Sequence, residues 1–345
     1  MPANKKHHYV PRFYLKFFSN FGEKTHIGLY LLNKKKFIES AAIDGQNYND
    51  YFYGREIEVE HALGKLENKA KIIIENIINT QTLPERNSEE YLSLLEHIIY
   101  QLNRTEISAK KTEDLLEQVT KMFNDGKETD CQIEAKYDYP ALASIENVDI
   151  YFNAILDLKI KLIINKSKDS FITSDNPVVK WNQFLKNKNY YSLRNGLSMR
   201  GLKLFFPISS KFMIIYYDTE IYDIGRMYEN FVEVNSSEDI YILNLLQTIH
   251  CNEKVYFNEN VSDSYVKRIL NTKTNIFTKA HGETLNQNYS SFENLIFNSI
   301  KDISFINVKK KVDKMIFSNP NDYIRPSSCV DLLGNIIPYE KQNIK

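Results

Sequence analysis

The order of its hydrophobic patterns limits most strongly what this chain of 345 residues can fold into. In the first half, apolar residues recur at the spacing of amphipathic helices. After residue 170, short apolar runs separated by turn residues take their place, which is typical of strands. Because helices come first and strands later, the sequence predicts an α+β protein and not a doubly wound α/β one.

The predicted elements group into one domain and an extension. They are a hairpin at 26–33 and 37–42, helices at 55–80, 88–123, 147–164 and 237–251, and strands at 170–173, 178–181, 202–206, 212–217, 255–257, 305–308 and 315–317. We expect a single α+β domain over residues 1–257, helical at about 55–165 and with a mixed, mainly antiparallel sheet and further helices at about 170–257. Residues 258–345 are expected to form a C-terminal extension packed on it or a small subdomain.

Charge and cysteine content exclude several classes of protein. Lys+Arg and Asp+Glu are 44 each, so the surface as a whole lacks the basic excess of a non-specific nucleic-acid binder, although a local basic groove stays open. Three widely spaced cysteines fit neither a disulfide framework nor a thiolate zinc site. No uncharged apolar run approaches the ~18 residues that span a bilayer, and no signal-peptide core is present. We therefore expect a cytoplasmic protein without a membrane partner.

The first residues combine two histidines, an arginine and five aromatic side chains between positions 6 and 18. So many rings are costly to leave in water, and we expect this segment to dock on the body of the protein. Adjacent side chains of an extended segment point to opposite sides, so only one of His7 and His8 can enter a site. His8 shares its side with Arg12, which favours His8 as an acid–base group or metal ligand and Arg12 as a phosphate ligand. A histidine in this position is also commonly just exposed or packed.

Two carboxylates share one face of the first long helix. Glu60, Gly64 and Glu67 lie at i, i+4 and i+7, and the helical glycine between the acids costs ~1 kcal/mol relative to alanine. The glycine would permit close approach of another backbone or of a ligand. The two glutamates could then bind a divalent cation or act as acid and base. Alternatively, this face is solvated and forms surface salt bridges.

The second helix carries a polar row, His97, Gln101 and Arg104, at the same spacing. Gln101 and Arg104 are candidates for binding a phosphate or carboxylate, because the planar guanidinium matches both groups. The alternative is structural: Arg104 could instead form an ion pair with Glu60 or Glu67.

Further polar residues follow in the predicted sheet and its last helix. Asp175 and Asn176 lie in an Asp-Asn-Pro turn, where Asp175 could be a metal ligand or base and Asn176 could contact substrate. The same residues also suit a turn with no function. Asn244 and Gln247 lie on an apolar helix face and need partners when buried, either a loop of the protein or a ligand.

A set of short motifs runs in order from residue 6 to about 257: His7-His8-Tyr9-Val10-Pro11 with Tyr14-Leu15 and Phe18, Glu60, Glu67, Gln101-x-x-Arg104, Ser174-Asp175-Asn176-Pro177, Pro207-Ile208-Ser209 and Leu243-Asn244-x-x-Gln247. Together they resemble an uncharacterised, mainly bacterial family, domain of unknown function 4238. The resemblance implies a shared bacterial, cytoplasmic module and no particular activity. Residues after about 260 fall outside it.

Two classes of function remain open. In the first, the chain is a metal-dependent phosphodiesterase or nuclease, a possible bacterial toxin or phage-defence effector acting on nucleic acid or a nucleotide. Its acid–base groups would be His8, Glu60, Glu67 and Asp175, with Mg²⁺ or Mn²⁺ held by His8, Glu67 and Asp175. A metal-free variant would process NAD or another nucleotide with the same arginines. In the second class, the polar rows form a non-catalytic nucleotide- or protein-binding module.

Overall fold

The computed structural model describes residues 5–19, 24–125, 133–146, 148–186, 195–284, 295–313, 319–326 and 328. It confirms the α+β class. The predicted strand at 315–317 lies outside the described residues.

The N-terminal segment docks as predicted. Strand β1 (Lys6–His8) pairs antiparallel with a short strand at Tyr48–Asp50, and the five-residue helix α1 (Arg12–Lys16) follows Pro11. The Tyr14 ring stacks on Phe206, and its hydroxyl donates a 2.6 Å hydrogen bond to the Pro207 carbonyl. Burial of these rings therefore holds the start of the chain against the later sheet.

The predicted hairpin is confirmed and is followed by a helical layer. Its strands are β2 (His26–Leu31) and β3 (Lys36–Ala42), and Tyr48–Asp50 is β4. The helices are α2 (Ile57–Thr80), α3 (Glu89–Asn103), α4 (Glu106–Asn124), α5 (Pro140–Ile145) and α6 (Val148–Ile155).

The prediction of a single helix over 88–123 is wrong, because α3 ends at Asn103 and a separate helix, α4, begins at Glu106. Ser88 caps α3 by accepting from the Tyr91 amide, as its sequence predicts, and Thr105 caps α4 by accepting from the Ser108 amide. Because a capping threonine adopts an extended backbone, it starts a new helix and cannot continue an old one. Arg104 lies at this break.

The helix predicted over 147–164 is also wrong in its second half. After α6, residues Lys159–Asn165 form strand β5, which lies between two other strands and is buried on both faces. Such a strand has a continuous apolar run instead of alternation, and its pattern cannot be distinguished from a buried helix. The isoleucines at 160, 163 and 164 favour the strand.

The remaining elements build two larger sheets. They are β6 (Thr173–Ser174), β7 (Val179–Trp181), β8 (Lys203–Pro207), β9 (Phe212–Tyr217), β10 (Tyr222–Ile224), β11 (Phe231–Val234), α7 (Ser237–Ile249), β12 (Lys254–Phe257), α8 (Asp263–Thr284) and β13 (Ile306–Val308). One sheet has the order β11-β5-β9-β8-β7 and the other β3-β2-β12-β6. All pairs are antiparallel except β11 with β5, so the predicted mixed, mainly antiparallel arrangement is confirmed.

Residues beyond 260 attach to earlier elements of the chain and include one strand of a separate two-stranded sheet. Strand β13 pairs with β10, and the Ser304 amide donates a 2.7 Å hydrogen bond to Asp239. The buried Arg325 forms a two-pronged ion pair with Asp157, at 2.7 and 3.0 Å. The boundary between a domain and an extension near residue 258 stays a prediction. Within the described residues, none of the helices has the length and apolarity to cross a bilayer.

Candidate functional site

An open cleft of about 760 Å³ lies between the N-terminal segment and α2. Four side chains predicted to be functional line it: His8, Arg12, Glu60 and Glu67. They come from β1, α1 and α2, so the cleft unites the first residues of the chain with the first long helix.

His8 lines the cleft because adjacent side chains of a strand lie on opposite sides, and His7 lies on the side of β1 away from the cleft. The His7 ring is 3% exposed, stacks on Tyr53, and accepts a 3.3 Å hydrogen bond from the Tyr53 amide. His8 is half-buried, and its Nε2 has no hydrogen-bond partner among the described residues. Desolvation and the nearby Arg12 lower the pKa of His8 below 6.5, against the opposing effects of Asp44 and Glu67. His8 is therefore neutral at pH 7.

The carboxylate face of α2 forms the opposite wall. Glu60 and Glu67 line the cleft two turns apart on this helix, with Gly64 between them. No atom lies within 4 Å of the position that a Cβ at Gly64 would occupy, apart from its own helix backbone and neighbours. The glycine is therefore not explained by a neighbouring backbone, and open space faces it between the two acids.

Arg104 lies behind this wall and is an internal partner of Glu67. Its side chain is 1% exposed, and Nη2 donates a 2.8 Å hydrogen bond to Glu67 Oε1. Its Nε donates to the Tyr9 carbonyl and to Gln101 Oε1, and Gln101 itself donates to the Tyr9 carbonyl at 3.0 Å. Neither Arg104 nor Gln101 lines the cleft. Their hydrogen bonds hold Glu67 on one side of it and Tyr9, the residue after His8, on the other.

The second group of predicted residues is assembled elsewhere. The Asp175 carboxylate accepts hydrogen bonds of 2.7 to 2.9 Å from the backbone amides of residues 252–254. Burial raises the pKa of Asp175, while these amides oppose the rise. Asn176 donates to the His250 carbonyl. These contacts tie the Asp-Asn-Pro turn to the end of α7 and the start of β12.

The two amides on α7 complete this internal network. Asn244 accepts from the Ile172 amide and donates to the Ser170 carbonyl. Gln247 donates to Ser174 Oγ and to the Asn176 carbonyl. Neither amide lines the cleft, and nor do Asp175 and Asn176. The structure therefore places these four residues in a fold-stabilising network and not beside His8.

The metal set predicted from the sequence is not brought together. His8 and Glu67 share the cleft, whereas Asp175 is occupied by the amides of the β12 turn. Among the described residues, no group of three or more His, Cys, Asp or Glu side chains has an arrangement suited to a metal ion. The carboxylates that do face the cleft are Glu60, Glu67, Asp44 and Glu75.

Sequence reasoning missed Lys6, Lys16 and Lys24 of the cleft, which also contains Lys71 of α2. Lys71 lies 3.9 Å from Glu75 one turn along α2, whereas Lys6, Lys16 and Lys24 form no ion pair with a described residue. Lys6 instead lies over the Tyr48 ring at 4.4 Å. Only the i, i+4 spacing to Glu75 is a local signal, and the other three lysines meet through the fold.

The comparisons with known proteins agree with the motifs. A family model described as protein of unknown function, DUF4238, matches residues 6–260. No curated protein and no solved structure matches the chain. Because the family model covers more than half of the sequence, the protein belongs to the DUF4238 family.

Proposed function

We propose that the cleft binds the phosphate of a nucleotide or nucleic acid and that His8 acts there as the general base or acid of a hydrolytic reaction. The observation that carries the proposal is the position of His8. His8 lines an open cleft that also holds two glutamates and several cations, its lowered pKa favours the neutral imidazole, and its buried Nε2 has no hydrogen-bond partner among the described residues. Acid–base catalysis requires a group of this kind within reach of a bound substrate.

The charges of the cleft support a phosphate-bearing substrate. Arg12 pairs with Asp44 at 3.0 Å and Lys71 lies near Glu75, so these charges largely cancel. Glu67 is compensated from behind by Arg104. Lys6, Lys16 and Lys24 then outnumber the remaining carboxylate, Glu60, and this excess of positive charge attracts a phosphate.

The glutamates supply the second half of the proposed chemistry. Arg104 fixes the orientation of the Glu67 carboxylate, as a positioning residue does for a catalytic group. Glu60 and Glu67 can share proton transfer with His8, or can bind Mg²⁺ or Mn²⁺ through carboxylate oxygens. The metal-dependent and metal-free mechanisms therefore use the same wall of the cleft.

The test is incubation of the purified protein with RNA, DNA and NAD, each with added Mn²⁺ or with EDTA. We expect His8→Ala and Glu67→Gln to lower the conversion of one of these substrates at least tenfold. His61→Ala is the matched control, because His61 is exposed on α2 and does not line the cleft. Conversion that is equal in all four proteins overturns the proposal.

The same reactions separate the alternatives. Loss of activity in EDTA supports the metal-dependent phosphodiesterase, and retained activity on NAD supports the metal-free nucleotide-processing enzyme. Binding of a substrate without conversion supports a nucleotide-binding module. A toxin or phage-defence effector predicts arrested growth on expression in bacteria, relieved by His8→Ala but not by His61→Ala.

A further inference from the structure

A second histidine lies close to the cleft in an unusual state. The His97 side chain is 1% exposed, and neither ring nitrogen has a hydrogen-bond partner among the described residues. A neutral imidazole carries one donor and one acceptor, and leaving each unmet in a buried site costs about 1–3 kcal/mol. An apolar residue of similar size would avoid this cost, so a purely structural role does not explain a histidine here.

The Phe13 side chain contacts both His97 and the cleft. The Phe13 ring packs against the His97 ring with centroids 5.9 Å apart, and Phe206 lies on it at 6.2 Å. Phe206 belongs to the buried strand β8, whereas Phe13 is half-buried and lines the cleft. Phe13 is carried by α1, which has only five residues and no side-chain cap at Pro11. Phe13 is therefore the residue through which His97 is in contact with the cleft lining.

We propose that Phe13 is a movable cover and that His97 is a second ligand-binding histidine of the cleft, which hydrogen-bonds a phosphate-bearing ligand when Phe13 turns away. The proposal rests on the proposed function for the identity of the ligand, but not for the movement of the cover. His97 is on α3, one turn before Gln101 and two turns before Arg104, so the residues that orient Glu67 lie on the same helix and at its C-terminal cap. A ligand that reaches His97 would also displace the ring that now fills part of the cleft.

The cover is tested by the reaction of diethyl pyrocarbonate with histidine rings, mapped residue by residue in the full-length protein by mass spectrometry. In the unaltered protein we expect His97 to react far more slowly than the exposed His61. Phe13→Ala, and the milder Phe13→Leu, should raise the rate at His97 at least tenfold without changing it at His61. Phe17→Ala is the matched control, since Phe17 also lines the cleft and lies beside Phe13 at 5.9 Å. A protected His97 in a folded Phe13 variant, or equal exposure in Phe17→Ala, overturns the cover.

The binding role is tested with His97→Leu and His97→Gln, using a fluorescent RNA oligonucleotide and NAD as probes. The leucine removes both unmet nitrogens and should raise the melting temperature, yet weaken probe binding about tenfold. Glutamine retains an amide donor and should recover part of the binding. A more stable leucine variant with unchanged binding shows His97 to be a buried residue only. If the unaltered protein binds neither probe, the proposed function fails, while the reactivity of His97 still decides whether Phe13 is a cover.

Discussion

Arg104 reaches Glu67 from the protein interior, across a 2.8 Å hydrogen bond between a side chain that is 1% exposed and one that is 25% exposed. The pair joins the buried break between α3 and α4 to the open wall of the cleft. An ion pair of this kind is unequal, because only the arginine has lost its contact with water. Removing Arg104 and removing Glu67 therefore have different consequences for stability and for the cleft.

Glu67→Ala should destabilise the protein by about 3 kcal/mol, since it leaves a buried guanidinium without its counter-charge. Glu67→Gln retains an acceptor oxygen and should cost less. Urea denaturation measures both. Glu89→Ala is the control, because its ion pair with Lys69 is exposed and should contribute almost nothing. An equal loss in the Glu67→Ala and Glu89→Ala variants would contradict the buried pairing.

Asp175→Ala should lower stability and leave activity unchanged, whereas His8→Ala should lower activity and leave stability nearly unchanged. Its carboxylate satisfies three backbone amides at the start of β12, and leaving these amides unmet should cost about 3 kcal/mol or more. Because Asp175 does not line the cleft, the folded fraction of the variant should convert or bind substrate as the unaltered protein does. His8→Ala should unfold at nearly the same urea concentration but lose conversion. Lost conversion in a stable Asp175 variant would return Asp175 to the catalytic group.

Gly64→Ala should stabilise α2 by up to about 1 kcal/mol, because alanine is the better helix former and its Cβ meets no atom within 4 Å. If a ligand lies between Glu60 and Glu67, the added methyl group occupies its space, and we expect weaker binding together with the higher stability. Thermal unfolding and a binding titration measure the two effects. A stabilised variant with unaltered binding would show that the ligand does not approach α2 at this turn.

The free energy of unfolding should fall as the pH drops below about 6.5, with His97 as one cause. Burial, with a smaller contribution from Arg104, lowers the pKa of His97 to about 3. The folded protein therefore binds fewer protons than the unfolded chain between pH 6.5 and 3, so stability is full above this window and is lost within it. Each such histidine contributes up to about 1.4 kcal/mol per pH unit.

The variant for this experiment is His97→Leu, and the measurement is urea unfolding at several pH values. The slope of the unfolding free energy against pH reflects how many more protons the unfolded chain binds. In this variant that number should be lower by up to one than in the unaltered protein. His250, whose pKa burial lowers to about 4, retains its share of the slope in this variant. An unchanged slope in His97→Leu would mean that His97 is solvated in the folded protein.

Elements that depend on local pattern could be predicted from the sequence. The hairpin, α2 and the cap of α3 are each specified by residues within a few positions. The break at Arg104 was missed because Thr105 is unremarkable until its hydroxyl is seen to accept from the Ser108 amide. Strand β5 was missed because burial on both faces removes the alternation that marks a strand.

The polar residues divide for a related reason. Spacing places Glu60 and Glu67 on one helix face and His8 opposite His7 on a strand, whereas Arg12 reaches the same cleft from helix α1. Asp175, Asn176, Asn244 and Gln247 have the composition of a site, yet a turn whose backbone amides and carbonyls need hydrogen-bond partners requires the same side chains. Sequence alone does not distinguish an Asn or Gln side chain that binds a ligand from one that hydrogen-bonds a loop of the protein.

The hydroxyl of Tyr14 links the N-terminal segment, which carries His8, to residues that are synthesised much later. Its partners, Thr173 and the Pro207 carbonyl, are 159 and 193 residues away in sequence. Contacts of such separation form slowly, because a long loop must close before they stabilise anything. During synthesis, the segment that carries His8 is made before β8 and therefore cannot dock fully until β8 has been made. An incomplete chain that stops before residue 207 lacks this anchor, so the finished cleft is a property of chains that have passed that point.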